Sequence, residues 1–202
     1  MKIIDLTMPI GNSTPVLPGD PGPEITRYAS IEKEGWNLHR LSLHTHLGTH
    51  IDAPWHLLAN GKKLSEFPIE KFIGRAILKN VTGQKEIDTD LAGVHPGDIL
   101  ILRTGYTTEV SSPDFFNSNP VVSRKLAEKI VAKSVGIIGI DTASVDRPPF
   151  EIHKYLLSRD ILILENLINL DKLPDTFEIF ILPLNLQNTD GSPCRVVAGF
   201  SD

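Results

Sequence analysis

The hydrophobic positions of the chain fall into short runs that predict strands. These runs are rich in Leu, Ile and Val, and Gly, Pro or charged residues flank them, as is typical of strands. They occur at 2–6, 74–81, 97–105, 135–141, 161–166 and 177–186. Between 38 and 45, Leu41 and Leu43 alternate with polar residues, which predicts a further strand. His44 and His46 would then leave this strand on the face opposite the leucines.

Two stretches have the pattern of helices. Residues 123–133 place Leu126, Ile130 and Val131 on one face behind Ser123, a suitable N-cap. Residues 150–160 predict a shorter helix. Because strands dominate early and helices alternate with strands later, we predict an α/β fold with one large, partly antiparallel sheet, in a single domain over residues 1–202. Strands 135–141 and 161–166 should pair in parallel through the short helix between them.

Composition excludes several classes of protein. The net charge is −5 and no run of Lys and Arg occurs, so we expect no nucleic-acid partner. No apolar run approaches the roughly 18 residues of a membrane span. Asp5 also interrupts any signal-peptide core, so we expect a cytoplasmic protein. The single cysteine, Cys194, allows no intrachain disulfide and is expected to be a packed residue rather than a nucleophile.

Candidate chemistry is concentrated in "HTHLGTHIDAPWH", residues 44–56, which holds four of the seven histidines. Gly48 and Pro54 oppose a helix there and favour a turn followed by an extended piece. In that piece His50 and Asp52 would point the same way, and the turn can fold His46 back beside them. Two imidazoles and a carboxylate suit Zn²⁺, Mn²⁺ or Fe²⁺, and three protein ligands leave a position for water.

His56 and His44 have different expected roles. His56 follows the stiff Pro54 and could serve as a general acid and base beside a metal-bound water, because its ordinary pKa is near 6.5. A surface loop without function is the alternative interpretation, but so many donors in one short stretch oppose it. His44 is expected to support the site through hydrogen bonds rather than to bind the metal.

The string from His46 to His56 has the form H-x-G-T-H-x-D-x-P-x-H, which resembles the signature of the cyclase family of metal-dependent hydrolases. That family includes bacterial kynurenine formamidases (arylformamidases), isatin hydrolases and polyketide-associated cyclases. The resemblance extends to "LPGDPGP" at 17–23, "GDILILRTG" at 97–105, "GIIGIDTASVD" at 136–146 and "GSPCRVVA" at 191–198. It implies a swivelling β/β/α fold and a homodimer or homotetramer.

The resemblance also implies the ligands of one or two divalent ions per subunit, with zinc as the first expectation and manganese as the alternative. His46, His50 and Asp52 would hold one ion. Asp52, His153 and Glu165 would hold the second, with Asp52 bridging. Glu165 also ends the apolar run "ILIL", where an unpaired carboxylate would be costly.

The implied reaction is hydrolysis of an amide or formamide of a small molecule, with His56 as the acid and base. An arylformamidase acting on N-formylkynurenine is the leading expectation. A cyclic-amide hydrolase of the isatin type and a cyclase or lyase are the alternatives, and a binding module without catalysis would leave His56 without a purpose. Leu17 and Trp55 are the candidate substrate contacts. Leu17 stands where kynurenine formamidases usually have Trp or Tyr.

Overall fold

A large sheet dominates the molecule, which a computed structural model describes over residues 1–112 and 114–201. The strands are β1 (Lys2–Asp5), β2 (Glu24–Ala29), β3 (Leu38–Ser42), β4 (His50–Asp52), β5 (Ile73–Asn80), β6 (Glu86–Ile87), β7 (Ile99–Arg103), β8 (Val121–Val122), β9 (Ile137–Ile140), β10 (Leu162–Glu165), β11 (Thr176–Pro183) and β12 (Gly191–Phe200). The α-helices are α1 (Ile31–Glu34), α2 (Arg124–Ala132) and α3 (Glu151–Leu157). Short 3₁₀ helices span Pro54–His56, Leu64–Glu66, Ile69–Phe72, Tyr106–Glu109 and Leu170–Lys172.

The large sheet closes on itself. Its strand order is β1-β12-β11-β5-β7-β9-β10-β4, and β4 pairs with β12 as well as with β10. Neighbours β5, β7, β9 and β10 run parallel, whereas β1, β4, β11 and β12 pair antiparallel. The predicted α/β class and the mixed sheet are therefore confirmed. β9 and β10 pair in parallel with α3 between them, as predicted.

Alternate residues of the strands pack on opposite sides of the sheet. In β7, Ile99 and Ile101 belong to the inner core of the barrel, whereas Leu100 and Leu102 pack with the helices outside. Helix α2 contributes Leu126, Ala127 and Ile130 to this outer core. Ser123 caps α2 by accepting a hydrogen bond from the backbone N–H of Leu126, as its sequence position predicts.

The predicted strand 38–45 differs from the structure. β3 ends at Ser42, so the alternation does not extend to the histidines that follow it. β3 pairs with β2 in a two-stranded sheet separate from the barrel, and all five of its residues are exposed. Leu41 is 59% exposed, which shows that period-2 alternation here does not mark a buried face. The other predicted strands differ from the observed bounds by a few residues at their ends.

Gly61 lies close against the backbone of the 3₁₀ helix Pro54–His56, where a side chain would not fit. A Cβ at Gly61 would lie 2.4 Å from the Pro54 carbonyl carbon. We therefore expect Gly61→Ala to lower the free energy of unfolding by about 1 to 3 kcal/mol, because rigid backbone must move. Urea denaturation of the metal-free protein would measure this. Gly74→Ala, where a Cβ meets nothing within 4 Å, is the control, and equal stability of the two variants would contradict the explanation.

Candidate active site

Two neighbouring strands present three of the predicted ligands on one face of the sheet. In the antiparallel pair of β4 and β10, His50 stands directly opposite Glu165, and Asp52 opposite Ile163. Ile51 packs in the inner core, so its neighbours His50 and Asp52 project to the other side, towards the helices. His50, Asp52 and Glu165 are all buried there.

Helix α3 brings His153 to the same place. His153 is the third residue of α3 and is buried, and its Nε2 lies 3.2 Å from Glu165 Oε1 and 3.5 Å from Asp52 Oδ2. Asp146 fixes the helix and the ring together. One carboxylate oxygen accepts from the backbone N–H of Ile152 at 2.6 Å, and the other contacts His153 Nδ1 at 2.5 Å. His153 Nε2 is therefore directed at the carboxylates.

His50, Asp52, His153 and Glu165 form a donor cluster suited to a divalent ion. His50 Nε2 lies 3.4 Å from Asp52 Oδ1 and 3.5 Å from Glu165 Oε2. Adjacent donors around a tetrahedral ion with 2.0–2.1 Å bonds are about 3.3 Å apart, which is close to these separations. His50 Nδ1 donates to the Gly48 carbonyl at 2.8 Å, which leaves Nε2 for the ion.

Asp52 Oδ2 gives a second indication that the cluster fits a cation. This oxygen is fully buried and accepts no well-formed hydrogen bond among the described residues, although His153 Nε2 lies 3.5 Å from it. A buried carboxylate oxygen without a partner is costly, and a bound cation would remove that cost. The donor cluster and Asp52 at its centre therefore fit the divalent metal that the sequence predicts.

His46 stands at the edge of the donor cluster. Gly48, with φ of 59°, turns the chain after His46, so its ring returns to Asp52. His46 Nδ1 contacts Asp52 Oδ1 at 2.7 Å, and Nε2 contacts Asp190 Oδ2 at 2.8 Å. Both ring nitrogens thus have carboxylate partners. His46 would bind an ion only after one of these contacts is exchanged for the metal.

His56 lies beside the donor cluster, with its ring near those of His46 and His153. Its ring centroid is 3.9 Å from that of His46 and 6.4 Å from that of His153. Its Nδ1 lies 3.4 Å from Asp190 Oδ2. Donor atoms of His46, Asp52 and His56 also fall within 4.8 Å of one another, so the geometry permits His56 as a ligand as well as an acid.

Burial and charge set the protonation of these groups. Burial lowers the pKa of His46, but the Asp52 charge and the Asp190 hydrogen bond outweigh it and raise the pKa to about 10. Burial likewise opposes protonation of His153, yet its carboxylate partners hold its pKa well above the usual value. Burial favours neutral Asp52, but the nearby histidines keep its pKa well below normal. Without a bound metal, His46 and His153 therefore carry protons and pair with the carboxylates that they contact.

A cavity of about 240 Å³ opens over the donor cluster, and we call it the site cavity. It is smaller than the roughly 300 to 1,000 Å³ typical of drug-sized ligands, so a small substrate is expected. Predicted residues that line it are His46, His50, Asp52, His56, His153, Glu165 and Leu17. Apolar side chains form much of the remaining wall, namely Met8, Val16, Phe115, Phe116 and Phe150.

Trp55 does not have the predicted position. It is absent from the described residues that line the site cavity, and its ring is 39% exposed beneath the ammonium of Lys63, 5.1 Å away. Trp55 and His56 are consecutive in the 3₁₀ helix Pro54–His56, and of the two only His56 is among the described residues that line the site cavity. His44 is also absent from that lining, and its Nε2 has no hydrogen-bond partner within the part of the chain that the structure describes. The supporting hydrogen bond expected of His44 is therefore not observed there.

Two functional carboxylates escaped the sequence analysis. Asp146 ends "GIIGIDTASVD" and Asp190 directly precedes "GSPCRVVA", but the sequence indicated no role for either residue. Asp190 joins His46, His56 and Thr45, whose hydroxyl donates to Oδ1 at 2.9 Å. Its contacts span more than a hundred residues of sequence, so no local spacing reveals them. The sequence signal that could have indicated them is their position, because one carboxylate ends a family motif and the other directly precedes one.

Asp146→Asn is expected to weaken metal affinity about 10- to 100-fold, as loss of a carboxylate behind a ligating imidazole typically does. The variant removes the charge that orients His153 while it preserves the shape of the side chain. Competition with a chromophoric chelator would measure the affinity. Asp171→Asn, at an exposed position, is the control. Affinity equal to that of the unaltered protein would show that Asp146 only caps the helix.

Comparison with known proteins gives the same picture. The family model described as "Putative cyclase" matches residues 4–147. Kynurenine formamidase of Bacillus cereus (strain ATCC 10987) is 34% identical over 205 residues, which cover 96% of this chain and 95% of that protein. No helix among the described residues is long and apolar enough to cross a membrane.

Solved structures share the architecture. A chain described as a predicted metal-dependent hydrolase from Bacillus stearothermophilus has a TM-score of 0.83 at 27% identity, covering 98% of this chain and 97% of that one. An isatin hydrolase bound to the product analogue thioisatinate has a TM-score of 0.91 at 20% identity, covering 100% and 93%, which shows the fold alone. With a family match over most of its length and a relative aligned end to end, this chain is an enzyme of the hydrolase type and belongs to the cyclase family of metal-dependent hydrolases.

Proposed function

We propose that the protein hydrolyses the formamide bond of an arylformamide, with N-formylkynurenine as the expected substrate. The observation that carries this proposal is the donor cluster with His56 above it, at the base of a small, partly apolar cavity. The kynurenine formamidase of Bacillus cereus, at 34% identity, supports the choice of bond.

The family resemblance groups His50 with His46 and Asp52 around one ion and leaves Asp52, His153 and Glu165 for the other. Because His50 Nε2 also lies 3.5 Å from Glu165, the whole donor cluster would hold one divalent ion, and His46 with Asp52 would contribute to a second. Zinc is the first expectation, because imidazole and carboxylate donors at these separations suit it, and manganese is the alternative. When bound, the metal supplies a water of lowered pKa and polarises the carbonyl of the substrate.

His56 would transfer the proton that releases the amine. Because its Nδ1 faces Asp190, its Nε2 remains for the nitrogen of the breaking bond. An arylamine is a poor leaving group unless it is protonated, so a positioned acid contributes strongly. Asp190 would keep the ring oriented, and the aromatic wall of the site cavity would hold the aryl group.

Metal affinity is expected to rise with pH between about pH 6 and 9, by up to tenfold per unit for each proton displaced. The pKa of His46 is raised to about 10, so near neutrality its ring carries a proton that the ion must displace. Raising the pH removes this proton, so the affinity for the metal increases. Chelator competition at several pH values, corrected for protonation of the chelator, would measure the slope. An affinity independent of pH would exclude His46 as a ligand.

A substrate panel tests the activity. The protein loaded with Zn²⁺ or Mn²⁺ would be assayed on N-formylkynurenine, formanilide and isatin, with metal-free protein as the control. We expect formate and the free amine from the first two substrates. Faster turnover of isatin would favour the cyclic-amide alternative. A product that has lost water, without oxygen from labelled solvent, would favour a cyclase.

A further inference from the structure

Arg147 is a cation in the wall of the site cavity to which the proposed hydrolysis gives no role. Among the described residues that line this cavity, no other is a lysine or arginine. Arg147 directly follows Asp146, which orients His153, so it stands close to the reacting centre along the chain. Arg147 and Asn117 both line the site cavity and also a second, more polar cavity.

The guanidinium of Arg147 is anchored but largely unpaired. One of its terminal nitrogens donates to the backbone carbonyl of Asn119. Asn119 is itself fully buried, and its side-chain amide donates to the Ser144 carbonyl at 2.8 Å. Within residues 1–112 and 114–201, Arg147 forms no ion pair with a carboxylate. Of the five N–H donors of a guanidinium, most therefore remain available to a ligand.

The other charged side chains that line the site cavity are mostly paired with one another. Asp52, Asp146 and Glu165 each contact His46 or His153, and Asp20 also lines the cavity. An anionic group of a substrate would be attracted to the guanidinium, most of whose donors are not used in such a pair. Phe115, Phe116 and Phe150 line the same cavity and offer an aromatic surface. The described lining thus combines a reacting centre, an apolar aromatic wall and the guanidinium of Arg147.

We propose that Arg147 binds an anionic group of the substrate, so that the enzyme prefers aromatic formamides that carry a carboxylate. The inference rests on the proposed formamidase activity and deepens it. A carboxylate can accept two parallel N–H···O bonds from a guanidinium, which fixes the orientation of the aryl ring as well as adding affinity. Arg147 is therefore a specificity-determining residue rather than a participant in bond breaking.

Two formamides that differ in one carboxylate test this proposal, namely 2-formamidobenzoate and formanilide. For Arg147→Gln we expect the KM for 2-formamidobenzoate to rise about 10- to 100-fold, as loss of a charge-assisted bond requires. Its kcat should change less than threefold, and both constants for formanilide should stay within twofold. Arg147→Lys should restore part of the affinity. Arg40→Gln, at an exposed position on β3, is the matched control.

Binding without turnover separates this proposal from the formamidase activity. Calorimetry would compare anthranilate with aniline, using metal-loaded protein of verified metal content. We expect Arg147→Gln to weaken anthranilate at least tenfold and to leave aniline unchanged. Equal effects on both compounds, or no effect on anthranilate, would overturn the anion site. Hydrolysis of formanilide by unaltered protein would then still support the formamidase, whereas failure on all formamides with anthranilate binding intact would refute only the activity.

Discussion

Asp52→Asn is expected to remove bound divalent metal and to abolish measurable hydrolysis. Asp52 is 1% exposed and lies within 3.5 Å of His50 Nε2 and His153 Nε2. The amide has nearly the same shape but no charge, and one of its two terminal atoms is a donor. Because loss of an outer carboxylate already costs 10- to 100-fold, loss of this central one should weaken metal affinity more than about 100-fold. Elemental analysis after gel filtration, together with kcat/KM, would measure both effects.

The control for Asp52 is another carboxylate of the same cavity. Asp20 lines the site cavity but belongs to none of the groups whose donor atoms converge. Asp20→Asn should keep the full metal content. If Asp52→Asn also retained it, Asp52 would not be a ligand, and the bridging role that the family resemblance implies would be wrong.

His56→Ala is expected to reduce kcat about 100- to 10,000-fold, the usual contribution of a positioned general acid. Its ring lies in the site cavity with Nδ1 facing Asp190, so its removal takes away the proton carrier without touching the donor cluster. Metal content should therefore stay unchanged. Single-turnover kinetics on N-formylkynurenine with metal-loaded variant would isolate the chemical step from product release.

His44→Ala is the matched control for His56→Ala. His44 belongs to the same stretch but does not line the site cavity among the described residues, so turnover should stay within about twofold, as for most surface changes. Unchanged turnover in His56→Ala would remove the acid role. Loss of metal in that variant would instead make His56 a ligand, as its distance to His46 and Asp52 permits.

The local sequence pattern predicts those ligands whose positions depend on a single strand. The parity of His50 and Asp52 follows from an extended segment, and β4 has that geometry. Glu165 ends an apolar run, and in the structure it ends β10. His153 followed from the resemblance rather than from its own surroundings, because a helical histidine alone is not distinguished from a surface one. The structure places it beside Glu165.

Contacts between distant segments could not be predicted in this way. Asp190 contacts His46 and His56 only because β12 returns to the side of β4. The exposed β2–β3 pair has the alternation of a half-buried strand, and nothing in its sequence shows that the barrel excludes it. Trp55 and His56 belong to the same 3₁₀ turn, and their sequence positions alone do not show that His56 lines the site cavity while Trp55 is 39% exposed.

Because the sheet closes at β4, binding of the metal should stabilise the folded barrel. β4 has only three residues, yet it joins β10 to β12 and carries two donors of the cluster. Its residue His50 pairs with Pro193, near the other end of the chain, so the site is complete only when distant segments have paired. An ion that binds only the assembled donors shifts the equilibrium towards the closed barrel as its concentration rises. Metal starvation would therefore reduce the amount of folded enzyme as well as its turnover, and abundance and activity would fall together.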